Sequence, residues 1–283
     1  MAFGDKGTSK PSPGSKAPAA SNIPIDLELG DIFKPATELE ILPRITIALC
    51  GTAKVGKSHF ALTVAEATEG PVYIIDTEGA IKINLIHFDP ELRKRIFVAE
   101  VLTFAGMAKN KVNLVDSLDA LKMAIQKVTE EAIMNHPDET GTFVIDSATD
   151  IWDWLQVWLE EAANVKRTKS GDMPRFEWGK ANEQYADIMY MLIRTHWNVI
   201  ATFRAKEAMS SEGVALGYNV PRWQKNTAHW FDVIGELQYE DERILHFTPG
   251  KAGRYGSNLP DLKEPSFKRL TELLEKQTGV KFK

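Results

Sequence analysis

Runs of apolar residues punctuate the chain at regular intervals and predict an alternation of strands and helices. "RITIALC" (44–50), "VYIID" (72–76), "TFVID" (142–146) and "NVIATFR" (198–204) are short, continuous and rich in β-branched residues, as buried strands are. "RIFVAEV" (95–101) reads as a further strand. Between them, residues 57–68, 114–135, 150–166 and 180–195 carry apolar positions at helical spacing. Strands alternating with helices predict an α/β fold with a mostly parallel sheet and helices on both faces. After residue 231 the pattern changes to "FDVIGELQYED" and "RILHFTPG", which read as a short antiparallel extension near the C-terminus. "PSFKRLTELLEKQTG" (265–279) predicts a closing helix, with proline near its start and glycine just past its end.

The flanks read differently. Residues 1–22 are rich in Gly, Ser, Pro, Ala and Lys and read as a disordered tail. Residues 23–43 read as a linker with apolar anchors. The ordered core is predicted over 44–264, followed by the closing helix and a basic tail over 265–283.

Composition narrows the classes. One cysteine, Cys50, permits no intramolecular disulfide, and the natural setting is reducing and cytoplasmic. The six histidines show no metal-ligand spacing. No apolar run approaches the roughly 20 residues of a membrane span. The net charge of −5 excludes a generally basic nucleic-acid binder, so any such binding falls to local basic loops.

The clearest chemistry lies at Gly51, Thr52, Ala53, Lys54, Val55, Gly56, Lys57 and Ser58, a match to G-x-x-x-x-G-K-[ST] between a buried strand and a helix. Such a loop wraps phosphates with its N–H groups, sends its lysine to the β- and γ-phosphates and offers its hydroxyl to Mg²⁺. The implied cofactors are ATP and Mg²⁺. Lys54 has no assigned role. Two strands then end in acids, "YIIDTEG" at Asp76 and Glu78 and "VIDSAT" at Asp146. Ser147, not a glutamate, follows Asp146, so the metal-side and water-activating acids are expected on different strands.

The order P-loop, "DTEG", "VIDS" resembles the core of the RecA/RadA recombinase superfamily over about residues 44–260. The segment "WGKANEQYADIMYMLIRTHWNVIATFRAKE" is most similar to phage-encoded ATPases of the Sak type, which anneal single strands. The resemblance implies a RecA-like P-loop NTPase core with Glu78 as general base, Asp146 as the Mg²⁺-side acid, and Asp76 as a structural acid or one acting through a neighbour. Helix-start capping is the alternative reading of Asp76 and Glu78. That superfamily carries a polar γ-phosphate sensor, often Gln or Asn, at the end of the later strand; this chain departs from it with Thr202 and Arg204 as the candidates, and a solvated Arg204 is the alternative.

Two segments are candidates for single-stranded DNA. The first, 165–182, sets Lys166, Arg167, Lys169, Arg175 and Lys180 against two acids, a net charge of +3, with Phe176 and Trp178 interleaved. The second, 204–225, sets Arg204, Lys206, Arg222 and Lys225 against two acids, a net charge of +2, and adds Trp223. Cations follow a phosphate backbone and aromatics stack unpaired bases; solvated loops with packed aromatic anchors are the alternative. Ile151, Trp154, Leu155 and Trp158 share one helical face and read as core; Trp152 lies off that face. Lys251 and Arg254 are candidates for a cation donated to a neighbouring subunit's site, as in related ATPases. Phe33 and Ala36 match the Phe-x-x-Ala with which RadA-type recombinases join subunits.

These features predict an ATP hydrolase, Mg²⁺-dependent and stimulated by DNA, working on single-stranded DNA in recombination, annealing or repair. Its partners would be DNA, further copies of itself in a filament or ring, and a single-strand-binding protein. A bacterial host, with the chain encoded by a phage, is the implied setting. The alternatives are a nucleotide switch that controls protein assembly and a replicative helicase or packaging motor.

Overall fold

The computed structural model describes residue 35 and residues 44–105, 111–136, 139–168, 173–174, 176–247 and 259–282. Phe33, Ala36, Lys169, Arg175, Lys251 and Arg254 lie outside the described residues. The chain divides into Met1–Ile41 and Leu42–Lys283, and every element below belongs to the second unit.

The elements in chain order begin with β1 (Thr46–Gly51), α1 (Lys57–Leu62), α2 (Val64–Ala67), β2 (Val72–Asp76), α3 (Ile81–Leu85), α4 (Pro90–Arg93) and β3 (Ile96–Glu100). A small hairpin of β4 (Phe104–Ala105) and β5 (Lys111–Val112) leads to α5 (Leu114–Glu130), which ends in a π-helical turn. Then come β6 (Thr142–Asp146), α6 (Thr149–Glu161), α7 (Trp178–Ile193), β7 (Asn198–Met209) and β8 (Ala215–Pro221). The chain closes with β9 (Val233–Tyr239), β10 (Arg243–Phe247), β11 (Leu262–Lys263) and α8 (Phe267–Thr278).

The main sheet runs β11-β10-β9-β1-β7-β6-β2-β3, with β8 paired to β7. Contacts from β9 through β1, β7, β6 and β2 to β3 are parallel; β10 and β11 are antiparallel. Strand alternation splits the apolar residues between two cores. Ala48 and Cys50 of β1 face α5, α6 and α7, whereas Ile47 and Leu49 face α1, α2 and α8. Both faces are covered, which is why the parallel strands read as unbroken apolar runs.

Two expectations change. β9 is parallel to β1 and antiparallel only to β10, so the antiparallel extension begins one strand later than its pattern suggested. Residues 204–225 are mostly not a loop. β7 continues six residues beyond "NVIATF" and turns back as β8, with Ala205 opposite Pro221. The outer half of that hairpin is exposed and polar on one side, which disguised it as a loop. The closing helix stands as read, with Ser266 capping Arg269 N and Gly279 left-handed at its end.

Register positions the chemistry. Asp76 lies opposite Asp146, and Gly51 lies opposite Arg204. The C-terminal ends of four neighbouring parallel strands therefore deliver the P-loop, both acids and Arg204 to one edge.

Candidate active site

The P-loop leaves β1 at Gly51 and enters α1 at Lys57. A Cβ on Gly51 would lie 2.5 Å from the Leu237 carbonyl oxygen, so only glycine lets the loop pass β9. Gly56 sits at φ 102°, where side chains are strained. Lys57 Nζ donates to the carbonyls of Gly51 (3.1 Å) and Thr52 (2.7 Å), curled within its own loop. Desolvation lowers its pKa, opposed by Asp146 and Glu78, whose negative charges hold the proton on. Lys54, in a left-handed conformation, lines the cavity in front of the loop.

Asp146 ends β6 and is 1% exposed. Its Oδ1 accepts a hydrogen bond from Thr202 Oγ1, and the Ser58 hydroxyl lies near enough to help hold the carboxylate's charge. Oδ2 is buried with no partner. Burial pushes the Asp146 pKa up; those two hydroxyls pull it down, and the nearby Glu78 and Asp76 raise it again. A desolvated carboxylate with an unsatisfied oxygen, next to the P-loop hydroxyl, fits a hydrated divalent cation. Thr202 is fully buried and spent on Asp146, so it does not face the cavity as a sensor.

Asp76 does what the capping alternative described. Its carboxylate accepts from the main-chain N–H groups of Glu78, Gly79, Ala80 and Ile81, at 2.8 to 3.3 Å. That fixes the turn carrying Glu78. Glu78 itself caps nothing; its Oε1 accepts from Arg204 Nε at 2.8 Å. Lys57, Ser58, Glu78, Asp146, Arg204 and Arg243 line one cavity of about 790 Å³, ample for a nucleoside triphosphate.

Sequence reasoning passed over Asp150, Thr77 and Arg243. Asp150 lies four residues after Asp146, and its carboxylate takes Thr77 Oγ1 at 2.6 Å and Arg204 Nη1 at 3.0 Å. Burial raises its pKa, with Thr77 and Arg204 opposing. The "D-x-x-x-D" spacing was visible, but nothing local shows that the second acid turns back to the site. Arg243 starts β10 and reaches the P-loop, its Nε 2.9 Å from where a Gly56 Cβ would stand.

The DNA candidates are placed unevenly. Trp178 stacks on Trp152 at 5.7 Å, and Trp152 meets Tyr185 edge-on. Trp223 packs edge-on against Phe203 at 5.0 Å. Arg222 pairs with Asp153 at 2.9 Å, Lys180 with Glu177 at 2.6 Å, and Arg167 with Glu160. Lys166 and Lys225 are exposed, and Phe176 is 80% exposed. Among the described residues no helix is long and apolar enough to cross a membrane.

Residues 44–257 match the family AAA_24, described as an AAA domain. No curated protein matches the sequence. Among solved structures, the chain is similar to the RadB recombinase at 12% identity, with a TM-score of 0.48, over 78% of this chain and 86% of that one. It is similar to a separately solved ATPase domain at 13% identity, with a TM-score of 0.43, over 78% and 80% of the two chains. A prototypical ATPase from the type III secretion system of pathogenic bacteria matches at 10% identity, with a TM-score of 0.44, over 69% of this chain and 52% of its own. The chain thus spans about half the length of that secretion ATPase. The matched stretch holds β1 to β10, the P-loop and both acids, and the chain belongs to the AAA domain family AAA_24.

Proposed function

We propose that the chain is a Mg²⁺-dependent, RecA-like ATPase that binds single-stranded DNA and acts, as an oligomer, in recombination, annealing or repair. The observation that carries the hydrolytic part is the convergence of Glu78 and Asp146, from adjacent strands, on the P-loop cavity. Lys57 leaves its loop carbonyls for the β- and γ-phosphates. Ser58 and Asp146 would hold Mg²⁺. Bound Mg²⁺ would offset the charge that develops on the phosphate oxygens. Glu78, at the cavity and a third exposed, orients the attacking water and takes its proton.

For DNA, the exposed Phe176 offers a stacking face, flanked in sequence by Lys166, Arg167, Lys169 and Arg175; Arg222, Trp223 and Lys225 form the second candidate patch. Self-assembly through Phe33 and Ala36 is supported by an apolar hollow between β3 and α5, lined by Tyr73, Phe97, Val98, Ala124 and Val128. Lys251 and Arg254 remain the candidates to complete a neighbour's site, and a single-strand-binding protein a candidate partner in a bacterial, phage-derived setting.

A second reading, a nucleotide switch for protein assembly, draws on the β7–β8 hairpin. It exposes Met209, Val214, Leu216 and Tyr218, a surface suited to protein more than to phosphate. Steady-state ATP hydrolysis with and without oligo-dT, alongside oligo-dT binding across salt, separates the two. DNA-stimulated turnover and salt-dependent binding are expected. Absence of both at low salt with ATP present refutes the DNA reading and favours the switch.

A further inference from the structure

Beside the P-loop cavity, the buried carboxylate of Asp150 is joined to Arg204 and Thr77. Asp150 lies in the first turn of α6, its side chain 9% exposed. Both of its oxygens are engaged by Arg204, Oδ1 with Nη1 at 3.0 Å and Oδ2 with Nη2 at 3.1 Å. Thr77 Oγ1 donates to Oδ2 as well, at 2.6 Å. Thr77 is in turn stitched to the β6 end: its N–H donates to the Asp146 carbonyl at 2.8 Å, and its Oγ1 accepts from Ser147 N at 2.8 Å. The Arg204 main chain is fixed on both sides, its N–H donating to Thr149 Oγ1 and its carbonyl accepting from Arg222 N.

A guanidinium held through two N–H groups by a buried carboxylate has its plane fixed. The direction of Nε is then fixed too, and Nε is the atom on Glu78 Oε1. Glu78 otherwise has three side-chain torsions to settle, on a turn that Asp76 secures only through main-chain N–H groups. Burial works against the Arg204 charge, but Asp150 and Glu78 outweigh it, so the cation persists across the pH range of hydrolysis.

We propose that Arg204, aimed by Asp150, is the positioning residue for Glu78: it holds one carboxylate oxygen and leaves the other to take the proton of the attacking water. This rests on the reading of Glu78 as the base. Lysine cannot replace Arg204, because a point charge cannot bridge two carboxylates in one plane.

The test is steady-state ATP hydrolysis with Mg²⁺, together with ATP and ADP affinities, for the wild type, Glu78→Gln, Arg204→Ala, Arg204→Lys and Asp150→Asn. Misplacing a reacting group by about 1 Å costs on the order of 100-fold. Arg204→Ala is expected to lose about 10- to 100-fold in kcat, with ATP affinity within about 3-fold. Arg204→Lys recovers little of this, and Asp150→Asn falls by a smaller factor. Added guanidinium ion at non-denaturing concentration partly restores Arg204→Ala and leaves Glu78→Gln inactive, which a merely structural role would not produce. Turnover of Arg204→Ala equal to wild type, with Glu78→Gln inactive, overturns this inference alone. Full turnover in Glu78→Gln overturns the base assignment and this inference together. A loss of ATP affinity in Arg204→Ala of tenfold or more, with ADP affinity unchanged, makes Arg204 a phosphate ligand and also overturns it.

Discussion

Asp146→Asn should make the nucleotide-free protein more stable while weakening its response to Mg²⁺ and ATP. The wild-type carboxylate is 1% exposed, and its Oδ2 has no partner. An unsatisfied buried polar group costs about 1–3 kcal/mol, and more when charged. In the variant the amide keeps the bond from Thr202 at its oxygen, and its nitrogen inherits the unpartnered position as a neutral group. The charged part of the cost disappears and the neutral part stays, for a gain of about 1 kcal/mol. For a chain of this size that is a rise of about 2–4 °C in Tm. The sign with pH follows from burial, which raises the Asp146 pKa in the folded state above its ordinary 3.8. Below that ordinary value both states carry the proton and the variant gains nothing. As pH rises above it, the folded wild type is increasingly penalised, and the advantage of the variant grows. Thermal melts at pH 4.5 and 7.5 read this directly. A ligand at 100 times its Kd adds about 2.7 kcal/mol, so Mg²⁺ with a non-hydrolysable ATP analogue should raise the wild-type Tm and move the variant less. A variant less stable than wild type at pH 7.5, or a difference independent of pH, refutes the picture of Asp146 as a desolvated, unsatisfied acid.

Three further outcomes are expected. Gly56→Ala, forced to φ 102° and facing Arg243 Nε, should lose about 1–2 kcal/mol and weaken ATP binding, measured by melting and fluorescent-nucleotide titration. Cys50 is 3% exposed, and burial, reinforced by Glu236, pushes its thiol up to about 12, so a thiol reagent at pH 8 should label it only after denaturation. Phe176→Ala should weaken oligo-dT binding by about 1–3 kcal/mol without moving the Tm, whereas Trp223→Ala, which removes packing on Phe203, should lower the Tm.

What the sequence disclosed was local in kind. The P-loop is eight consecutive residues, and each acid ends an apolar run, so chain-neighbour patterns sufficed to name them. Asp76 as a cap was legible as an alternative because its partners are the next few residues. The Glu78–Arg204 contact joins positions 126 apart, and Asp150–Arg204 joins positions 54 apart; no periodicity carries such pairs. The β7–β8 hairpin was hidden because "RAKEAM" leaves the sheet body and loses its two-sided burial. Trp178 and Trp223, legible as aromatic, were illegible as packed, since that depends on Trp152 and Phe203 arriving from other elements. The parallel pairing of β9 is likewise a property of its neighbour β1, not of its own pattern.

The central claim is that Glu78 and Asp146 divide the chemistry of one site between two strands. Glu78→Gln tests it most directly, with ATP hydrolysis and ATP affinity measured on the same preparation. The account predicts ATP and Mg²⁺ bound with wild-type affinity and turnover reduced by about 100-fold or more, within the range a general base contributes. Turnover equal to wild type would contradict it.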